Sequence, residues 1–242
     1  MKKLFTVLAV LLVATALFAG VTVKAGGTFA FASLNTATDA DHAESMNMKA
    51  HGFGFDAGIQ YDLSDKLAVY GEFNMVFPKD ATSNEAGEEL KVSDLVKNLK
   101  EFLVADPDAS VSYRINFFSI SAGVAYKLDF NAVKLAVGGG LTLNRSALKI
   151  NAAAEIAGDE ESLEVTEIFT NIGLNALFDA KYMVADGVGV GVTLNPQLGL
   201  YNISKATVKA TDFFEPSSED SKVNGFKVGF AMPITVGVSY TF

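Results

Sequence analysis

This 242-residue sequence holds two histidines, His42 and His51, the residue type most used as a general base, and no cysteine. A hydrolytic site needs a nucleophile or a water activated by His or Asp. His42 stands in an acidic stretch and His51 opens an apolar alternation; neither has a His-x-Ser pair or a triad beside it. The chain is therefore expected not to be an enzyme. Absence of Cys removes disulfides and thiolate metal sites. The carboxylates of "GDEESLE" (158–164) have the oxygen chemistry for Ca²⁺ or Mg²⁺ but lack EF-hand spacing, so they read as solvated loop charge and no cofactor is expected. Another set of charges does follow a pattern. Lys24, Asp56, Glu72, Lys127, Lys134, Asp179, Lys181 and Lys227 each lie on the polar side of a run with a period of two. Buried charges are costly unless paired. These eight are expected to pair in an interior, either as the lining of a gated conduit or, the favoured reading, as a closed plug. Inward glycines at 54, 58, 138, 140, 189, 191 and 229 leave volume for water along such a path.

The elements that would position these charges are strands. Eight alternating runs begin near Val21, Phe53, Leu67, Phe118, Val133, Ile172, Val188 and Phe226. One face of each is apolar and free of charge; the other is rich in Gly, Ser and Asn with few charges. A soluble sandwich would put far more charge on its polar faces. A charge-free outer face suits lipid, where Lys or Arg at midplane costs roughly 2–4 kcal/mol. Backbone groups in lipid must all be paired, which only a closed wall achieves with strands. The sequence thus predicts an all-β fold: an eight-stranded antiparallel up-and-down transmembrane β-barrel, with both termini on one side. Composition agrees: 50% of residues are hydrophobic and 19% charged.

The connections alternate in length. "SDK" (64–66), "DFN" (129–131) and "ADG" (185–187) are tight turns, whereas 34–47, 78–110, 145–170 and 202–224 read as long loops. This predicts short periplasmic turns and four long extracellular loops. Of the 28 Asp and Glu, 21 fall in those loops, and net charge is −9, which disfavours nucleic acid. In the second loop "SDLVKNLKEFLV" has helical spacing, with Leu95, Leu99, Phe102 and Leu103 on one face and Ser93 as cap; it reads as a docking helix or a helix folded over the barrel mouth. Four runs end alike, in "GIQYDL", "GVAYKL", "DAKYMV" and "GVSYTF". Tyr61, Tyr126, Tyr182 and Tyr240 would form a periplasmic aromatic girdle, with Phe31, Phe53, Phe77 and Phe118 opposite.

The first residues read as a secretory signal: Lys2 and Lys3, an apolar stretch from Leu4 to Phe18, then "LFAG". Residues 1–19 are assigned as signal peptide and 20–242 as the barrel domain, with cleavage after Ala16 or Ala25 as open alternatives. With these features the chain resembles the small eight-stranded outer-membrane barrels of diderm bacteria, the OmpA transmembrane domain, OmpX and OmpW group. In such proteins the last strand carries a signal for the barrel-assembly machinery, matched here by Thr235, Gly237, Tyr240 and Phe242. Two features depart from the group: no peptidoglycan-binding domain follows, and there is no Trp. The resemblance implies a monomer in outer-membrane lipid that meets periplasmic chaperones and the assembly machinery during biogenesis. The favoured role is structural or surface-interacting, through an extracellular ligand at the loops; a narrow conduit for small or apolar solutes is the alternative.

Overall fold

The computed structural model describes residues 20–35, 47–85, 88–103, 110–156, 159–211 and 218–242. Its strands are β1 (Val21–Asn35), β2 (Asn47–Asp62), β3 (Leu67–Glu85), β4 (Glu88–Lys91), β5 (Ser110–Phe130), β6 (Val133–Ile156), β7 (Asp159–Ala185), β8 (Val188–Leu194), β9 (Gln197–Thr211) and β10 (Ser218–Thr241); one helix, α1, spans Val92–Leu103. Every pairing is antiparallel, and β10 returns to β1 from Thr22–Thr241 to Ser33–Phe230, which closes the ring. β8 and β9 both lie between β7 and β10 and form one wall strand, interrupted at Asn195–Pro196. Proline has no N–H for a ladder, which explains the break. The ring therefore has eight walls, with β4 a short addition on β3. Among the described residues no helix is long and apolar enough to cross a membrane.

The tight turns fall where the sequence places them. Ser64 Oγ accepts from the N–H groups of Lys66 and Leu67 at 3.3 and 3.1 Å, folding β2 onto β3. Asn131 and Gly187 have φ of 60° and 71°, the left-handed backbone that Asn and Gly adopt most readily.

The long loops differ from expectation. Much of 78–110, 145–170 and 202–224 is strand: β3 continues to Glu85, β6 and β7 meet at a hairpin beyond Ile156, and β9 and β10 run on to Thr211 and from Ser218. The first loop, 36–46, lies outside the described residues. The reason is an inversion of pattern. Below Phe118, Arg145 and Thr170, which share one rung, apolar side chains point outward. Above it they point inward: Met48, Ala50, Ala81, Val111, Ile115, Leu148, Ala152 and Phe169 form a buried apolar core inside the upper barrel. Lys49, Arg114, Arg145, Lys149 and Asn151 take the outer face there. Runs defined by an outward apolar face end at the inversion, although the strands do not.

Helix α1 fits into this upper core. Val92 and Val96 are buried in it and Leu99 packs against it, whereas Leu95 is exposed. The expected inward face containing Leu95 is thus rotated, because the 92–96–99 stripe matches the core. Ser93 does not act as cap acceptor. Its N–H and hydroxyl donate to Asp80 of β3 at 3.2 and 2.6 Å, so the carboxylate neutralises the helix start from another element.

Candidate functional site in the barrel interior

Glycine makes the central charge cluster reachable. Lys24 on β1 and Glu72 on β3 both lie in register with Gly58 of β2, between them. A Cβ at Gly58 would strike Lys24 Cε and Glu72 Oε2. Without it, Lys24 Nζ reaches Glu72 Oε1 at 2.5 Å, stands 3.7 Å from Asp179 Oδ1 and donates to Thr193 Oγ1 at 3.1 Å. Thr193 donates to Asp179 Oδ1 at 2.7 Å, and Lys181 lies 3.3 Å from Asp179 Oδ2. Asp56 is buried and lines the same small cavity. Lys24, Asp56, Glu72, Asp179 and Lys181 thus occupy one level, cross-bracing β1, β3, β7 and β8.

The other three expected interior charges are elsewhere. Lys127 pairs with Asp62 at 2.5 Å near the short-turn mouth, where Gln60 Nε2 also donates to Asp62 Oδ1 at 3.0 Å. Lys134 points inward by register but is the second residue of β6, so it opens into solvent at the mouth, 3.8 Å from an exposed Asp129. Its interior assignment is corrected to the rim. The side chain of Lys227 lies outside the described residues.

Above the charges is a belt of amides and hydroxyls that the period-two reading placed on the inner face without assigning roles. The Tyr70 hydroxyl is 2.8 Å from the Asn175 amide, which is 2.9 Å from Asn195 Oδ1. Gln197 Nε2 donates to Ser119 and Ser121 at 3.1 and 3.3 Å, and Ser121 donates to Thr142 at 3.0 Å. Burial of Asn and Gln on consecutive inward positions was the available signal. Next comes an apolar layer of Ala30, Val76, Phe117 and Ala231, then the vault around α1. Cavities along this axis are small: about 20 Å³ beside Lys24 and about 10 Å³ below the vault, room for about one water each.

The wall carries the remaining candidates. Tyr61, Tyr126, Tyr182 and Tyr240 all face outward and are exposed near the short turns. Phe31, Phe53 and Phe77 are exposed at the opposite boundary, with the Phe29 ring 4.8 Å from both Phe31, edge to face, and Phe53, tilted. Thr235 and Gly237 point inward, with Thr235 buried between Thr28 and Thr193. The Phe242 N–H donates to Val21 O at 2.9 Å, its carbonyl accepts from Gly20 at 3.2 Å, and its ring lies 4.8 Å from that of Tyr240. His51 sits on the outer face beside Phe29 and Phe31, remote from the interior carboxylates; His42 lies outside the described residues. In the 158–164 stretch, Glu164 is on the outer wall between Lys149 and Lys209, at 2.6 and 3.7 Å, and these cations hold its carboxyl below the usual glutamate value. Among the described residues no group of three His, Asp or Glu could hold a metal.

A family model described as outer membrane protein beta-barrel domain matches residues 5–242. No curated protein matches the sequence. Among solved structures, the outer membrane protein OprG from Pseudomonas aeruginosa aligns with a TM-score of 0.52 at 11% identity, over 93% of this chain and 96% of that one. Neisserial surface protein A aligns with a TM-score of 0.44 at 18% identity, over 93% and 98%. Ail, the attachment invasion locus protein of Yersinia pestis, gives 0.37 at 11%, over 93% and 100%. At such identities the OprG match speaks to fold alone.

Proposed function

We propose that this chain, which belongs to the family of outer-membrane β-barrel domains, is a closed anchor whose upper hairpins are its working surface. One observation carries the reading: successive ionic, amide and apolar layers cross-brace the interior, and the two cavities described along it hold about one water each. Layers of this kind oppose the passage of polar solutes. The hairpins of β6–β7 and β9–β10 stand well above the aromatic boundary and offer the binding surface. In planar bilayers the purified protein is expected to be electrically silent, and clear single-channel steps would overturn the closed reading. Trimming the β6–β7 hairpin between residues 153 and 163 is expected to abolish binding to cells or matrix without loss of assembly; unchanged binding removes that hairpin as the surface.

Maturation follows from the same architecture. A signal peptide of residues 1–19, cut after Ala19, suits a first strand that starts at Val21. Cutting after Ala25 would remove Lys24 and the residues that pair with Val238 to Thr241. N-terminal sequencing of the mature protein decides between them. Thr235, Gly237, Tyr240 and Phe242 serve as the assembly signal, read by the barrel-assembly machinery while the strand edge is still open.

A second reading, a narrow conduit for apolar solutes, has one feature in its favour. The β3–β5 pairing stops at Val76–Phe117, so above it the two strands part and α1 fills the gap. Tyr113 spans the opening by donating to Lys79 O at 2.8 Å; burial and the Asp80 carboxylate raise its hydroxyl above the usual tyrosine value. The apolar vault would communicate sideways if α1 withdrew. Transfer of a fluorescent apolar solute into vesicles no faster than in protein-free vesicles rules this out.

A further inference from the structure

The charges that meet at the central level of the interior do not cancel. Among the described residues, Lys24 and Lys181 face Asp56, Glu72 and Asp179. The lysines nearer the short-turn mouth have acids of their own, Asp62 for Lys127 and Asp129 for Lys134. One carboxyl of the central three is therefore in excess, and their surroundings differ. Glu72 Oε1 takes Lys24 at 2.5 Å, and Asp179 takes Lys181 at 3.3 Å and the Thr193 hydroxyl at 2.7 Å. Asp56 forms no ion pair among the described residues. It is 3% exposed, and its Oδ1 has no donor; Glu72 is equally buried, and its Oε2 has none either. Register explains why these two acids meet. Asp56 stands opposite Asn74, and Gly58 stands opposite Glu72, so Asp56 and Glu72 are diagonal neighbours on the inner face of β2 and β3. Their carboxyl groups lie within hydrogen-bonding reach of each other. Two ionised carboxylates have no donor to offer one another, because each only accepts.

We infer that Asp56 and Glu72 form an acid pair that binds one proton, carried by Asp56 as an O–H that donates to Glu72. Lys24 decides which partner carries it. Its ammonium neutralises Glu72 from the other side, so Glu72 is the ionised acceptor and Asp56 the acid. A hydroxyl donating to a carboxylate is among the stronger hydrogen bonds. The bound proton also balances the cluster, with two ammoniums against two carboxylates. An unpaired charge at this depth is costly, and a buried group in that position neutralises instead. A metal ion suits the site less well. The cavity beside Asp56, about 20 Å³, is also lined by Lys24 and Lys181, whose charges repel a cation. It has room for about one water, which supplies the donor that Asp56 Oδ1 lacks. From β8 and β10 only the hydroxyls of Thr193, Thr235 and Ser239 face this space. Tyr70 of β3 is the one further titratable neighbour of Glu72, and its hydroxyl is engaged by Asn175. The inference concerns the interior alone and holds whichever surface above it binds a partner.

The test is infrared spectroscopy of the full mature protein, refolded in micelles at neutral pH. It reads the carbonyl stretch of protonated carboxyl groups, which ionised carboxylates lack. One such band is expected in the parent. D56N and E72Q each remove the excess carboxyl, so each should abolish the band, whereas D129N at the exposed rim should leave it. D56N should also keep the parent's urea midpoint of heat-modifiable migration, because its amide donates to Glu72 as the acid does. No band in the parent, a band that survives D56N and E72Q, or a clear fall in the D56N midpoint each overturns the inference. So does a parent midpoint that rises with sodium chloride but not with choline chloride at equal ionic strength, which assigns the extra positive charge to a metal ion. None of these readouts depends on conductance or on hairpin binding, so their failure leaves the closed reading standing.

Discussion

Lys24 shows how one side chain holds several strands. It faces Glu72 and Asp179 from β1, and both carboxylates are buried. Lys24→Met would leave the buried Glu72 without its cation and Asp179 with Lys181 alone, and removing one partner of a buried pair costs about 3–5 kcal/mol. The expected result is a clear fall in the urea midpoint of heat-modifiable migration, partly restored in K24M/E72Q. Glu164 behaves differently, being on the outer surface. Its carboxyl is depressed first by its hydrogen bond to Lys149, then by the charges of Lys149 and Lys209. A depressed acid contributes its stabilisation at pH above its unfolded value and loses it as pH falls through the folded one. Amide exchange in the β6–β7 hairpin should therefore be faster in E164Q than in the parent at pH 7, and this difference should vanish in strong acid. Alternation alone placed Lys24, Asp56, Glu72, Asp179 and Lys181 on the inner face. It does not reveal depth along the axis, so Lys134 reads as interior although it lies at the rim, and the part of Tyr70 in the amide belt is invisible to it. Depth depends on the stagger of all eight walls, which no single run encodes.

Strands and their turns were legible below the aromatic boundary because lipid enforces one rule there, apolar outward. Above it water surrounds the wall, the rule reverses, and the extensions of β5, β6, β7 and β9 read as acidic loops. Their inward residues, Val111, Ile115, Leu148 and Phe169, carry the same period shifted by one face. Helix α1 was legible as a helix, but its rotation was set by that unseen core. Asp80→Asn keeps an acceptor for Ser93 while removing the charge at the helix start; a loss of about 0.5–1 kcal/mol is expected for α1, read as faster proteolysis between β3 and β5. Gly140 poses a stricter constraint. A Cβ there would run into the Ala122 carbonyl and the Cα of Gly123 on β5. Gly140→Val should prevent heat-modifiable folding, whereas Gly27→Val, where a Cβ meets open space on the outer face, should fold normally.

Across the whole molecule, closure depends on the pairing of β1 with β10. Thr22 and Thr241 share a hydrogen bond at 2.8 Å across 219 residues of sequence, and Phe242 joins its backbone to both Val21 and Gly20. Deleting Phe242 should reduce membrane insertion, measured by fractionation, while the portion that does insert unfolds near the parent's urea midpoint; normal insertion of the truncated chain would count against an assembly role. The ring also fixes an order in time. Seven walls leave two bare edges, and in hydrocarbon a bare edge has no water to satisfy it. The first strand made has its second neighbour in the last strand made. No partial product is a smaller version of the finished one, because β1 has no second neighbour until β10 is in place. Until that pairing forms, the edges of β1 and β10 remain open to any other strand that meets them.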